Sequence, residues 1–369
     1  MVNHKNNLQL EISKDTVIYI AAPARVATGG PELLHQLAYH LRVDLGLNAF
    51  MYYYPSDVDD PIHPEYRSYD NTYTREIVDK QTNILIVPEV VSGIKLLSRF
   101  ANIQKVIWWL SVDNFFISYI LLKRLRYPRI TFLRMINKLA KTLLGYPIVD
   151  IPEAILNMVI SNKSIILKIF KELAIDQVRL HLCQSYYAED FLKSLSIINR
   201  AYLSDYLNRE FLTARFNPEL KENIVAFNPK KGASFTRKII AAAPDDITFV
   251  PIVNMTRREV IQLLKKSKVY IDFGNHPGKD RLPREAAILG CCVIVGKKGS
   301  AANPYDVPIP ERYKFTVSRS NIRRIVETIR YCIDNYNEVY HDFEAYRENI
   351  RQEPQKFIED LSAIFTKGR

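Results

Sequence analysis

Residues 272–290, DFGNHPGKDRLPREAAILG, gather the side chains best suited to chemistry. An acid (Asp272), an imidazole (His276), cations at Lys279, Arg281 and Arg284, and carboxylates at Asp280 and Glu285 lie between two apolar runs. A hydrophobic core requires none of them. At the carboxyl end of a strand, where open α/β sheets bind ligands, such cations can stabilise charge developing on a phosphate. Glu285, at the start of a helix, can accept hydrogen bonds from paired hydroxyls, although an acid near a helix N-terminus is favourable with no ligand at all. Asp272 in an apolar setting demands a polar partner, and either it or His276 can orient a bound group.

A second set follows an earlier apolar run at Asn228-Pro-Lys-Lys-Gly232. There Lys230 and Lys231 can neutralise phosphate, and Gly232 can let the backbone approach it. Near the amino terminus, Gly29-Gly30 close an expected acceptor loop, and the helical pattern that follows has an N-terminus that favours an anion. Glu32 and His35 lie on that helix's first turns. Asp113 follows the run IWWLS and is placed to take a proton from an incoming hydroxyl; Glu32 and His35 compete for that role. Formation of a turn in Ser-Val-Asp-Asn is the alternative use of Asp113. No His, Cys and Asp grouping has metal-ligand spacing, so no metal is expected.

The elements that must position these groups alternate. Strand patterns at Val17–Ala22, Ala49–Tyr54, Asn83–Val87, Lys105–Leu110 and Val178–Cys183 are separated by helical ones, among them Leu33, Leu34, Leu37, Ala38 and Leu41 on one face. A second series begins near Asn223, with strands at Ile224–Phe227, Ile247–Val250, Val269–Phe273 and Cys292–Val295. Thr256 and Glu259 form a capping box that opens a helix between the second and third of these. Such alternation predicts two largely parallel sheets covered on both faces. A chain of 369 residues exceeds the usual size of one core. The expected division is 1–210, 211–335 and a helical tail, 336–369, packing back on the first domain.

The formal charge of +11 points to an anionic partner. Much of it lies in an expected helical insertion over about 115–170. Lys123, Arg124, Arg126, Arg129, Arg134, Lys138 and Lys141 occur there with no acid between Asn114 and Val149. Arg134, Lys138 and Lys141 share one helical face, and Phe132, Ile136, Leu139 and Leu143 another. That pattern suits an anionic membrane surface, and also an ordinary surface helix. It lacks a nucleic-acid reading module, and no nucleic-acid partner is expected. The amino terminus shows no signal-peptide pattern, and no run reaches the roughly 18 apolar residues of a spanning helix. Four scattered cysteines suggest buried thiols in a reducing compartment. The expected location is therefore cytoplasmic, with peripheral attachment to the inner membrane face left open.

On the residues quoted, the chain resembles bacterial glycosyltransferases of the two-Rossmann GT-B type that build surface polysaccharides such as capsule and O-antigen. The likeness is greatest over 223–296 and weaker over 17–41 and 105–114. It implies two Rossmann-like domains facing a cleft, with a nucleotide-sugar donor on the second domain and a glycan or lipid-linked saccharide acceptor on the first. It also implies a terminal helix that crosses back and no bound metal. Glu285, followed by Ala286, Ala287 and Gly290, resembles the ribose-binding glutamate of retaining members. Pro277 stands where their other glutamate would be, with Asp280 and Asp272 nearby, so retention or inversion stays open. The 228–232 loop resembles the donor-phosphate loop. The alternatives are a nucleotide-sugar epimerase of similar fold and a non-catalytic, membrane-associated, glycan-binding adaptor.

Overall fold

The computed structural model describes residues 10–123, 127–144, 149, 151–160 and 162–365, without the side chains of Lys141, Leu144 and Pro152. It divides into two compact units. The first comprises 1–135, 151–205 and 355–369, and the second comprises 136–150 and 206–354.

The first unit is built on a parallel sheet of β1 (Val17–Pro23), β2 (Asn48–Tyr54), β3 (Tyr73–Thr74), β4 (Ile84–Pro88), β5 (Gln104–Trp109), β6 (Leu180–Cys183) and β7 (Arg200–Tyr202). Their spatial order is β3-β2-β1-β4-β5-β6-β7. The central strands are apolar on both faces because helices cover both: β4, ILIVP, is buried at every position. β1 pairs with β2 on one side and β4 on the other. The order therefore reverses between β1 and β4, and ligands of open α/β sheets bind in such crevices.

The second unit repeats the plan with β8 (Glu222–Phe227), β9 (Thr248–Pro251), β10 (Ser267–Asp272), β11 (Cys292–Gly296) and β12 (Lys314–Phe315), ordered β12-β11-β10-β8-β9. All its pairings are parallel, and its reversal lies between β8 and β10. The strands read from sequence are present. The short edge strands β3, β7 and β12 were not read, since two or three residues are too few to show a period. The capping box at Thr256 forms, with both reciprocal hydrogen bonds present.

The tail departs from expectation. The helix Glu344–Ile364 contains Pro354, and the division between the units falls immediately after it. Up to Pro354 the tail belongs to the second unit, where Tyr336, Phe343, Tyr346 and Ile350 join the core. From Gln355 it belongs to the first. There Phe357 stacks on Trp108 at 6.3 Å, and Asp360 accepts from the Ser204 N–H at 3.3 Å. Only the last turns pack where the whole of 336–369 was expected.

Candidate functional site

In the second unit, the loops after β8, β10 and β11 interlock at their carboxyl ends. Gly232 has a left-handed φ of +59°, and a Cβ there would lie 2.6 Å from the Phe273 carbonyl oxygen and 2.7 Å from the Gly274 nitrogen. A Cβ on Gly274 would in turn strike Lys231. The Ser300 N–H donates to the His276 carbonyl at 2.9 Å, fixing the third loop. Gly232 is thus required by contact between loops, whereas the sequence suggested approach to phosphate.

This packing joins two helix starts. Gly232 caps the helix Ala233–Ala242 and Asp280 the helix Arg281–Ile288, neither through a side-chain hydrogen bond. Each start consequently presents main-chain N–H groups and the positive end of a helix dipole. The two lie in the loops that flank the strand-order reversal.

A chain of alternating charge, buried at its His276 and Asp272 end, supports them. Lys231 Nζ contacts Asp280 Oδ2 at 2.6 Å, and Asp280 Oδ2 lies 3.1 Å from His276 Nδ1. His276 Nε2 lies 3.7 Å from Asp272 Oδ1. Asp272 also accepts from Tyr270 Oη at 3.1 Å and from the Gly274 N–H at 2.9 Å. Burial alone would depress the His276 pKa, but the flanking carboxylates outweigh it and the net direction is up, with Lys231 opposing. For Asp280, burial pushes upward, while Lys231 and His276 pull its carboxyl below the usual range. Asp272, His276 and Asp280 offer ligand atoms within 4.8 Å of one another, close enough to surround a cation. The sequence reading expected no such grouping; Lys231 lies beside its Asp280 end, at 2.6 Å.

The remaining candidates separate into two groups. Lys279 Nζ pairs with Glu353 Oε1 at 2.7 Å, and the fully buried Arg284 pairs with Glu353 Oε2 at 2.8 Å. Arg284 also donates to the Lys279 carbonyl at 3.1 Å. Both cations are thereby directed to a tail carboxylate, contrary to the phosphate role read from sequence. Arg281 lies one turn before Glu285, with Nε and Oε1 3.3 Å apart. Lys230 is exposed on the 228–232 loop.

The first unit revises four expectations. Gly29 and Gly30 are the first turn of the helix Gly29–Val43 rather than an acceptor loop, and neither has positive φ. Asp113 is fully buried in the first turn of the helix Val112–Leu122 and accepts from Tyr187 Oη at 2.9 Å. Glu32 is also buried and accepts from Tyr69 Oη at 3.3 Å. Neither carboxylate is exposed to an incoming hydroxyl. His35 is buried too, and burial pushes its pKa down to about 4 despite Glu32. A neutral ring of such low basicity suits hydrogen bonding better than proton abstraction.

Sequence reading overlooked Glu89, which follows β4 beside the first unit's reversal point. Its carboxylate accepts from the Leu110 N–H at 3.0 Å, joining the ends of β4 and β5. Burial pushes this carboxyl up to about 8 against the pull of main-chain N–H groups. The folded state therefore retains a proton that the unfolded chain loses near the ordinary value of 4.5. Stability should fall as pH rises from about 4.5 to about 8, then level off. Glu89→Gln should remove that component, gaining on the parent by roughly 1–3 kcal/mol between about pH 5 and pH 8.5. Denaturant midpoints at the two pH values provide the check. Equal slopes in both proteins would show that Glu89 is not the titrating group.

On the helix Pro128–Leu144, Phe132, Met135, Leu139 and Leu143 are 61–73% exposed, whereas Ile130 and Ala140 are buried. Met135, rather than the expected Ile136, completes the exposed apolar stripe. Arg129, Arg134 and Lys138 are exposed on the same helix. Arg124, Arg126 and the Lys141 side chain lie outside the described residues.

No family model and no curated protein sequence matches the chain. Solved structures do. HepE of Anabaena, bound to UDP-glucose, is 10% identical with a TM-score of 0.55, covering 94% of this chain and 99% of that one. Sucrose-phosphate synthase of Thermosynechococcus elongatus is 13% identical with a TM-score of 0.58, covering 95% and 98%. The fold is that of the GT-B glycosyltransferases. TarM of S. aureus, solved with UDP, shares it over 79% of this chain and 57% of its own, at 12% identity and a TM-score of 0.50.

Proposed function

We propose that the chain is a glycosyltransferase that moves a sugar from a nucleoside diphosphate to a growing, lipid-linked surface glycan at an anionic membrane face. The observation that carries this reading is the pair of helix starts without a side-chain cap bond beside the second unit's reversal point, with Arg281 and Glu285 one turn apart on one of them. When the bond from the sugar to the diphosphate breaks, negative charge collects on the leaving phosphate. Lys230, Arg281 and the helix N–H groups stabilise that charge, while Glu285 receives the ribose hydroxyls. Lys231, Asp280, His276 and Asp272 act as positioning residues that hold the loops. Because cationic side chains and helix dipoles meet the diphosphate, the reaction needs no bound metal.

The acceptor's lipid anchor is read from the apolar stripe of the helix Pro128–Leu144 and its flanking cations. Among the described residues, no helix is long and apolar enough to cross a membrane, so attachment would be peripheral.

Ligand-detected NMR against UDP-, GDP-, CMP- and dTDP-sugars tests the donor site. One base class should bind, and Glu285→Ala should weaken it by about 10–100-fold through loss of charge-assisted bonds to ribose. No binding by folded protein would refute the donor site. Donor binding without transfer to any glycan would favour a non-catalytic adaptor.

A further inference from the structure

Three charged side chains of the second unit form a ring that the proposed reaction leaves unused: Lys279, Arg284 and Glu353. Glu353 lies on the helix Glu344–Ile364, directly before Pro354, and is 6% exposed. It divides its two oxygens, Oε1 to Lys279 Nζ at 2.7 Å and Oε2 to Arg284 Nη1 at 2.8 Å. Arg284 closes the ring. Its Nη2 donates to the Lys279 carbonyl at 3.1 Å and its Nε to the Asp280 carbonyl at 3.4 Å. One carboxylate, 69 residues along the chain from Arg284, thus holds the Lys279 side chain. Through Arg284 it also holds the two carbonyls that precede the helix Arg281–Ile288.

Stability does not account for this ring. Three charges taken out of water lose hydration that their pairing only just offsets, and apolar side chains of like volume serve a core as well or better. What the ring supplies is direction. A guanidinium fork and a carboxylate meet in a narrow range of geometries, so the clasp on Arg284 fixes the rotation of its helix. Successive helical residues are about 100° apart around the axis and about 1.5 Å along it. With Arg284 held, the bearings of Glu285 beside it and of Arg281 one turn from Glu285 are set as well. On the opposite side of the clasp, Pro354 has no N–H to return to the Ile350 carbonyl. The ion pairs of Glu353 secure that turn.

We infer that Glu353 is a positioning residue of the donor site. Acting through Arg284, it sets the rotation of the helix Arg281–Ile288 and so aims Arg281 and Glu285 at the nucleotide sugar. The inference rests on the donor reading for its ligand and on the second unit alone for its geometry.

A double-mutant cycle on the full chain provides the test, read by ligand-detected NMR with whichever of the UDP-, GDP-, CMP- and dTDP-sugars the parent binds. Glu353→Gln keeps the size of the side chain and removes its charge. It should weaken the donor by about tenfold or more, the value of one charge-assisted hydrogen bond. In that background Glu285→Ala should cost less than about threefold, against about 10–100-fold in the parent, while Lys230→Gln should cost the same in both. Full additivity at Glu285 would overturn the inference, because a general loss of stability leaves the two costs independent. Should two unanswered cations unfold Glu353→Gln, the double substitution Glu353→Gln with Lys279→Met takes its place in the cycle. Hydrogen exchange of the unliganded protein is the second readout. Amides of 279–285 should exchange about tenfold faster in the variant, with those of β8, β10 and β11 unchanged. Equal acceleration throughout the unit, or none at 279–285, would overturn the inference. If the parent ignores every nucleotide sugar, the donor site is refuted, and exchange alone decides whether Glu353 sets the helix.

Discussion

Replacing His276 by leucine is expected to destabilise the second unit by about 3–5 kcal/mol at neutral pH, the usual cost of removing one member of a buried ionic set. His276 is fully buried between Asp272 and Asp280, and Asp272 is itself buried. Without the imidazolium the two carboxylates face each other, and Lys231 can answer only one of them. The sign of the pH dependence separates this from a packing defect. A histidine whose folded pKa is raised contributes stability fully below its unfolded value of 6.5. That contribution is lost as pH rises through the folded value. The parent should therefore lose stability over that range, and His276→Leu should lack that segment of the curve. Urea unfolding from about pH 6 to about pH 9 reads both effects. A variant within about 1 kcal/mol of the parent and sharing its slope would show that the imidazole is a neutral spacer.

The same cluster marks where sequence reading stops. Strand and helix order was legible because the signals are local: ILIV in β4 and CVIV in β11 are apolar throughout, and Thr256-x-x-Glu259 is a cap within four residues. That the 228–232 and 273–280 loops follow strands β8 and β10 could be read as well. Partner choice could not. Lys279 and Arg284 read as phosphate ligands, yet both meet Glu353 in the tail, 69 positions beyond Arg284. Gly232 shows φ freedom in sequence but not the neighbouring backbone that demands it. Asp113 stands where an acid can face a ligand, and only the fold brings Tyr187 onto it. Glu89 was passed over for the converse reason. A lone acid after a strand has no period and no motif, and its altered pKa arises from burial that composition does not reveal.

Membrane attachment should collapse when Phe132 and Leu139 are both replaced by glutamate. Each is more than 60% exposed, so neither substitution removes core packing, and the fold should survive. Insertion of the two side chains into the acyl boundary stabilises the bound state by about 1.5–3 kcal/mol each. The double variant should therefore lose about a hundredfold or more in partition to vesicles containing phosphatidylglycerol, with repulsion between glutamate and the anionic surface adding to the loss. Arg134→Gln with Lys138→Gln acts on a different force. Each cation near the surface contributes about 1 kcal/mol, so that pair should weaken binding roughly tenfold or more and flatten its dependence on salt. Partition that ignores salt and both double variants would mean that the stripe is not the contact. If the parent itself fails to bind phosphatidylglycerol vesicles, the lipid-linked acceptor loses its structural support. The glycosyl-transfer reading would then rest on the donor site alone, because Arg281 and Glu285 owe nothing to the helix Pro128–Leu144.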